Sequence, residues 1–311
     1  MDCRSEVSGL RRYAAALSRV SSHVDLVHGL DAELPLGRMA NAAATVVTVH
    51  DLTMFDGPGA RGARARLKRL TNGRSIVRAD SVIANSGAVA QQIQDRFDRE
   101  ATVVMLAPRT DVGRATADVQ AAVRVRYGLP DRFVLHVGAS DGRKRLDLAA
   151  AACKSAGLPL ITVGPRSFSA KDQPAGSTLG GRHLGFVHND TLAALYSSAA
   201  LVLYLSDHEG FGLPPIEAMA CGAVVVANPT GALPELAAKH PNALALVGGE
   251  RLDPSGVDPI ADRMSQLIND ADERASMVQA GQLAVNELTW DRTLSGTLDV
   301  YRGLGIDVAV G

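Results

Sequence analysis

The sequence predicts an α/β protein made of two doubly wound parallel sheets, and three observations carry that prediction. Short apolar runs rich in Val, Ile and Thr recur along the chain with helical stretches between them, the alternation that builds βαβ units. The runs are nearly continuous in hydrophobicity, as strands covered on both faces are. A chain of 311 residues, 46% of them hydrophobic, is long enough to fill two cores.

The first domain, read as residues 1–115, opens irregularly. Ser8-Gly9-Leu10 reads as a glycine turn feeding a helix through Leu17, and Met1 to Val7 before it is no buried strand. Apolar runs at Asp25 to Leu30, Thr45 to His50, Ser81 to Ser86 and Thr102 to Ala107 then predict a four-stranded sheet. Between the second and third runs, Gly57 to Asp80 carries Arg61, Arg64, Arg66, Lys68, Arg69, Arg74 and Arg78 against a single acid, Asp80. Charge runs usually face water, so a solvated basic helix is the first reading. A surface for an anionic acceptor or a lipid headgroup is the second, with Leu67, Leu70, Ile76 and Val77 as a weak apolar face. Arg109 to Gln120 is polar and irregular and reads as the linker.

In the second domain, residues 116–288, six strands are predicted: Phe133 to Gly138, Pro159 to Gly164, Arg182 to Val187, Ala200 to Leu205, Ala223 to Asn228 and Ala243 to Val247. Helices are predicted at Leu146 to Ala156 and at Thr191 to Ala199, the latter capped by Asp190. Pro259 to Leu288 is long enough for two helices, and residues 289–311 contain a last one through Leu304.

Composition excludes several classes. A net charge of −1 gives no pull toward nucleic acid. No run approaches the roughly 20 apolar residues of a membrane span, and the N-terminus lacks a signal-peptide core, so a cytoplasmic protein is expected. Cys3, Cys153 and Cys221 are widely spaced, which suits neither a disulfide framework nor a zinc site. The histidines show no ligand spacing, and no cofactor or metal is expected.

Ser206 to Gly222 concentrates the chemistry. An apolar strand ends at Leu205, Glu209 to Gly212 makes a tight loop, and Pro214-Pro215 opens a short helix that Gly222 ends. Glycines at 210 and 212 let a ligand approach the backbone, and the first helical turn aims N–H groups and the positive dipole end at an anion. Glu209 before the helix and Glu217, read as within its first turn, would accept hydrogen bonds from hydroxyls. Singly, each feature also suits a plain helix start, where glutamate favours the dipole and glycine the turn. Together after a buried strand they fit a diphosphate held near N–H groups and sugars held near carboxylates.

The run Glu209-Gly-Phe-Gly-Leu-Pro-Pro-Ile-Glu217-Ala-Met-Ala-Cys-Gly222 resembles the two-glutamate motif of the retaining glycosyltransferases of family 4, whose GT-B fold pairs two Rossmann-like domains facing a cleft. The resemblance implies that Glu209 contacts the transferred sugar and Glu217 the donor ribose, with Gly210, Phe211, Gly212 and Leu213 lining the diphosphate. Val137 to Lys144 is similar to the family's diphosphate segment, which casts Arg143 and Lys144 as its cations; Ala139 stands where many members carry another arginine. Val47 to Thr53 resembles the segment whose histidine lies near the donor sugar, which casts His50 as a catalytic contact. Gly164, Phe186 and Val187 are expected to hold the nucleobase. Gly9, His28 and Ser86 are expected on the acceptor side, and the last helix is expected to cross back onto the first domain. In the family a hydrophobic strand precedes the glycine loop, so the resemblance implies either a first domain shortened by that strand or a true start upstream of Met1.

These readings combine into a retaining hexosyltransferase of mannosyl type. Its donor would be GDP-mannose, with UDP- or ADP-linked hexoses as rivals, and its acceptor an unidentified hydroxyl compound. A nucleotide-sugar-binding protein without turnover and a sugar-nucleotide 2-epimerase of the same architecture are the alternative readings.

Overall fold

The strands form two separate parallel sheets. The computed structural model describes residues 24–34, 42–56, 63–139, 142–165, 181–253 and 256–308, without the side chains of Asp56, Ala63 and Arg64. The chain divides into two units: Met1–Met105 with Asp291–Gly311, and Leu106–Trp290.

In the first unit, β1 (Val24–Gly29), β2 (Ala42–Val49), β3 (Ser81–Ala84) and β4 (Thr102–Val103) lie side by side in that order, all parallel. Both faces are covered, which explains the continuous apolar runs. Val47, Val49, Val82 and Ala84 pack with Ile76, Val89 and Ile93 on one face. Val46 and Ile83 pack with Val104 and Val300 on the other. Val300 belongs to the helix Trp290–Gly303, whose Thr293 hydroxyl donates to Met105 O at 2.7 Å. The last predicted strand, Thr102 to Ala107, shrinks to two residues. It is an edge strand whose only neighbour, β3, ends at Ala84.

The basic stretch forms the helix Ala63–Arg78. Asn72, Ser75 and Ile76 are its buried side, and Leu34 N donates to Ser75 Oγ at 2.9 Å. Ile76, expected on an outward apolar face, is therefore core. Leu67, Leu70 and Val77 remain exposed, interleaved with exposed Arg66, Arg74 and Arg78.

In the second unit, β5 (Val134–Val137), β6 (Leu160–Val163), β7 (Gly181–His183), β8 (Leu201–Tyr204), β9 (Val225–Ala227) and β10 (Ala245–Leu246) take the order β10-β9-β8-β5-β6-β7. The chain winds outward from β5 to β7, then returns to β8 on the other side of β5 and winds outward again. Every pair is parallel, so all carboxyl ends share one edge. Leu201, Leu203 and Leu205 interdigitate with Leu148, Ala152, Met264 and Leu267 from the helices Leu146–Ser155 and Val257–Asn269. Asp270 caps the next helix, Ala271–Asn286, by accepting from Glu273 N at 2.8 Å. One cap was misplaced by sequence reasoning: the helix at 189–198 starts at Asn189, so Asp190 lies in its first turn, where its charge suits the dipole without capping. Among the described residues, no helix is long and apolar enough to cross a membrane.

Candidate active site

Winding reverses between β5 and β8, and the carboxyl edge at such a reversal is the position where open α/β sheets bind ligands. Gly142–Lys144, a short helical turn after β5, and the loop Leu205 to Gly212 after β8 meet there. Asp207 N donates to Arg143 O at 2.9 Å and fastens one loop to the other. Behind them the ends of β5 and β6 touch through backbone alone. A Cβ on Gly164 would lie 2.2 Å from Gly138 O, and Gly164 has φ +136°, so only glycine fits.

The two cations converge on one acid. Arg143 Nη1 donates to Glu209 Oε1 at 2.9 Å and to His208 O at 2.7 Å. Lys144 Nζ donates to the same Oε1 at 2.6 Å and to Tyr204 Oη at 2.8 Å. Ser206 Oγ donates to it as well, at 2.6 Å. Ser206 is itself fixed by Asn228, whose side chain exchanges two 2.8 Å bonds with the Ser206 backbone. Burial, then the nearby Glu209 charge, pushes the Tyr204 hydroxyl well above its usual range, keeping it neutral. Two cations from the loop after β5 thus meet on the carboxylate of the loop after β8.

The helix Leu213–Ala220 starts at Gly212, whose φ of +94° is the left-handed conformation glycine tolerates. Sequence reasoning overstated its supply of donors. Pro214 and Pro215 occupy the first turn and have no N–H, so Leu213 is the first-turn residue that can offer one. Phe211 is buried at 4% exposure, which leaves only its backbone for a ligand. Glu217 also stands beyond the first turn, and is 6% exposed.

Glu217 has a partner that sequence reasoning missed. Arg109 Nε donates to Glu217 Oε1 at 2.8 Å, and Arg109 Nη1 to Asn189 Oδ1 at 2.6 Å. Asn189 in turn donates to Asp111. Burial raises the Glu217 carboxyl above the usual range, and the Arg109 charge opposes that rise. A position 108 residues upstream offers no local signal for this pairing.

The expected nucleobase residues divide. Gly164 N donates to Gly185 O at 3.0 Å, joining the two turns after β6 and β7. Phe186 is 83% exposed beside them, whereas Val187 is core at 6% and contributes no free side chain.

In the first unit, His50 follows β2, and its carbonyl accepts from Asn85 Nδ2 at 2.9 Å. His28, expected to meet an acceptor, has both ring nitrogens engaged: Nδ1 is 2.6 Å from Tyr301 Oη and Nε2 is 2.8 Å from Thr48 Oγ1. It ties the terminal helix to the sheet. Ser86 is fully buried, and its hydroxyl caps the helix Gly87–Phe97 by accepting from Val89 N at 3.1 Å. Ser86 departs from the acceptor-side expectation, because a strand end that starts a helix needs its polar side chain for the cap, whereas His28 spends its ring nitrogens within the first unit. Gly9 lies outside the described residues.

Two parallel α/β units, one with its carboxylates and cations gathered at the switch point, define the GT-B class of glycosyltransferases. The chain belongs to the family described as glycosyl transferases group 1, whose profile matches residues 123–284. It is 32% identical to a D-inositol 3-phosphate glycosyltransferase of Salinispora arenicola, over 92% of this chain and 70% of the relative. It is 26% identical to the O-antigen chain mannosyltransferase B of Escherichia coli, over 94% of this chain and 77% of the relative. Two further D-inositol 3-phosphate glycosyltransferases are matched over 64% and 60% of their own lengths. Among solved structures, sucrose-phosphate synthase from Thermosynechococcus elongatus superposes with a TM-score of 0.75 at 22% identity, covering 95% of this chain and 78% of that one. Anabaena HepE in complex with UDP and glucose gives 0.70 at 19% identity, covering 95% and 81%.

Proposed function

We propose that this glycosyltransferase transfers a hexosyl group of mannosyl type, with retention, from a nucleotide-diphosphate sugar to an acceptor hydroxyl. The observation that carries the reading is the convergence of Arg143 and Lys144 on Glu209 beside the Gly210 loop, at the switch point of the sheet. The naming of one relative as a mannosyltransferase supports the sugar, and the UDP and glucose bound to HepE support the donor class.

In this mechanism the donor diphosphate lies against Arg143, Lys144 and the loop amides. As the bond from the anomeric carbon to the phosphate oxygen lengthens, negative charge collects on the diphosphate and the cations stabilise it, by several kcal/mol for groups preorganised in a dry site. The acceptor oxygen bonds to the same face of the anomeric carbon, and its proton passes to the departing phosphate. No protein nucleophile is needed. Glu209 holds the cations before the donor arrives and accepts from a hydroxyl of the sugar afterwards. The exposed arginines of the helix Ala63–Arg78 supply a contact for an anionic group on or near the acceptor.

The test is a panel of GDP-, UDP- and ADP-hexoses with release of nucleoside diphosphate as the readout. The reading expects one donor to be turned over, and Glu209→Ala to abolish release while the protein still binds the nucleoside diphosphate. Failure of every donor to bind would end the proposal.

A further inference from the structure

Arg145 follows the two site cations in sequence and holds a backbone that arginine rarely adopts. Its φ of +40° and ψ of +44° lie in the left-handed region, at the residue that starts the helix Leu146–Ser155. A residue there is normally extended, and a side chain with a Cβ is disfavoured in the left-handed region, so the conformation persists only where its surroundings fix it. Here the side chain supplies the fixing. It is 11% exposed, and every nitrogen of its guanidinium is engaged. Nε and Nη2 fork onto Asp147 at 3.3 and 3.4 Å. Nη1 donates to Leu252 O at 2.6 Å and to Asp207 Oδ1 at 3.3 Å.

Arg145 thereby joins the turn after β5 to the loop after β8, through Asp207, and to the segment after β10, through Leu252. The same segment is tied a second time, by Asn228 Nδ2 donating to Glu250 O at 3.2 Å, and Asn228 also holds Ser206. Arg143 and Lys144 join the first two of these loops as well, but through Glu209. A donor diphosphate that draws on both cations competes with Glu209 for them, so those ties loosen when the geometry has to hold. The bonds of Arg145 use no group assigned to the donor. We infer that Arg145 is a positioning residue, which keeps the loop after β8 in register with the turn after β5 while Arg143 and Lys144 change partners from Glu209 to the diphosphate. That consequence for catalysis rests on the nucleotide-sugar reading; the joining of the loops does not.

The reporter is the Asp207 amide, whose 2.9 Å bond to Arg143 O fastens the two loops. Its hydrogen exchange is followed in the full chain for the wild type, Arg145→Gly and Arg145→Met, with and without GDP or UDP. In parallel, kcat and donor KM are measured with whichever nucleotide sugar the wild type turns over. Glycine relieves the left-handed backbone and methionine keeps an apolar stem, so a change shared by both variants comes from the lost guanidinium. Exchange at Asp207 should be about 10-fold faster or more in both variants, while wild-type protection persists with nucleotide bound. The variants should also lose about 10- to 100-fold in kcat/KM, mostly in kcat, because small displacements of positioned groups cost that much. Arg145→Gly sheds backbone strain as it loses the side chain, so a retained melting temperature sets its loss of activity apart from unfolding. Unchanged exchange in the variants, or wild-type protection that collapses on nucleotide binding, overturns the inference. Faster exchange with wild-type kcat/KM in the variants overturns the positioning role. Failure of every donor to be turned over ends the functional reading instead, and the Asp207 exchange then decides by itself whether Arg145 joins the loops.

Discussion

Lys144 Nζ lies 2.6 Å from Glu209 Oε1, and the two side chains are 8% and 11% exposed. A buried pair of this kind contributes little net stability, because desolvation offsets the attraction, yet removing one member leaves the other uncompensated. Glu209→Ala should therefore lower stability by about 3–5 kcal/mol, the range for breaking a buried pair. A nucleoside diphosphate can replace the missing negative charge, so its thermal shift should be at least as large in Glu209→Ala as in the wild type. Differential scanning fluorimetry with and without GDP and UDP checks this, and a variant that loses the shift would refute the shared cation site.

Removing a cation acts on the transition state. Arg143→Ala should lower kcat by about 10²- to 10³-fold, as loss of a preorganised stabilising group does, with a smaller change in donor KM. Arg143 is the better choice than Lys144 for this measurement, because its side chain is 32% exposed and its removal leaves less buried charge behind.

Gly164→Ala should destabilise the second unit. The new methyl would stand 2.2 Å from Gly138 O, on a backbone at φ +136° that costs about 1–3 kcal/mol for other residues even without the clash. Urea denaturation should show a lower midpoint, with Gly157→Ala, also at positive φ but with nothing near its Cβ, as the strain-only control.

The buried His136 makes stability depend on pH. Burial depresses its pKa to about 4 from 6.5, against a bond to Leu203 O and with the Lys144 charge adding to the fall. The unfolded chain thus binds more protons between those values, and stability falls as pH drops from 6.5 toward 4, by up to roughly 3 kcal/mol from this one group. His136→Leu should flatten that slope in urea midpoints taken from pH 6.5 to 4.5. An unchanged slope would show that the imidazole is not held neutral.

The outward face of the helix Ala63–Arg78 should respond to anionic surfaces. Each arginine near such a surface is worth about 1 kcal/mol, so changing Arg66, Arg74 and Arg78 together to Gln should largely abolish sedimentation with phosphatidylserine vesicles and its salt sensitivity. Neutral vesicles and a soluble polyanion separate a lipid contact from a general anion contact. Equal behaviour of wild type and variant would leave the face as plain solvated surface.

Much of this molecule is written locally. The strands of both sheets follow from runs such as Leu201 to Leu205, whose side chains are buried whichever way they point, and the site loop follows from glycine and proline, which act on their own backbone. Boundaries were less legible where a partner sets them. Thr102 to Ala107 has the composition of a longer strand, but pairing ends where β3 ends. Asp190 has the chemistry of a cap, but the helix begins one residue earlier.

By itself, the sequence determined the two-sheet class and the switch-point loop, because periodicity and turn chemistry operate over a few neighbouring residues, while Glu209, Arg143 and Lys144 stood out through the family resemblance of their segments. Only the tertiary structure decided that Arg109 holds Glu217 across 108 residues, that Asn228 holds Ser206 across 22 and that Tyr301 occupies His28 across 273. Those pairings form when distant strands are brought into register and helices close over them. Their free energy comes from removing both partners from water together, which no stretch of the chain reveals alone.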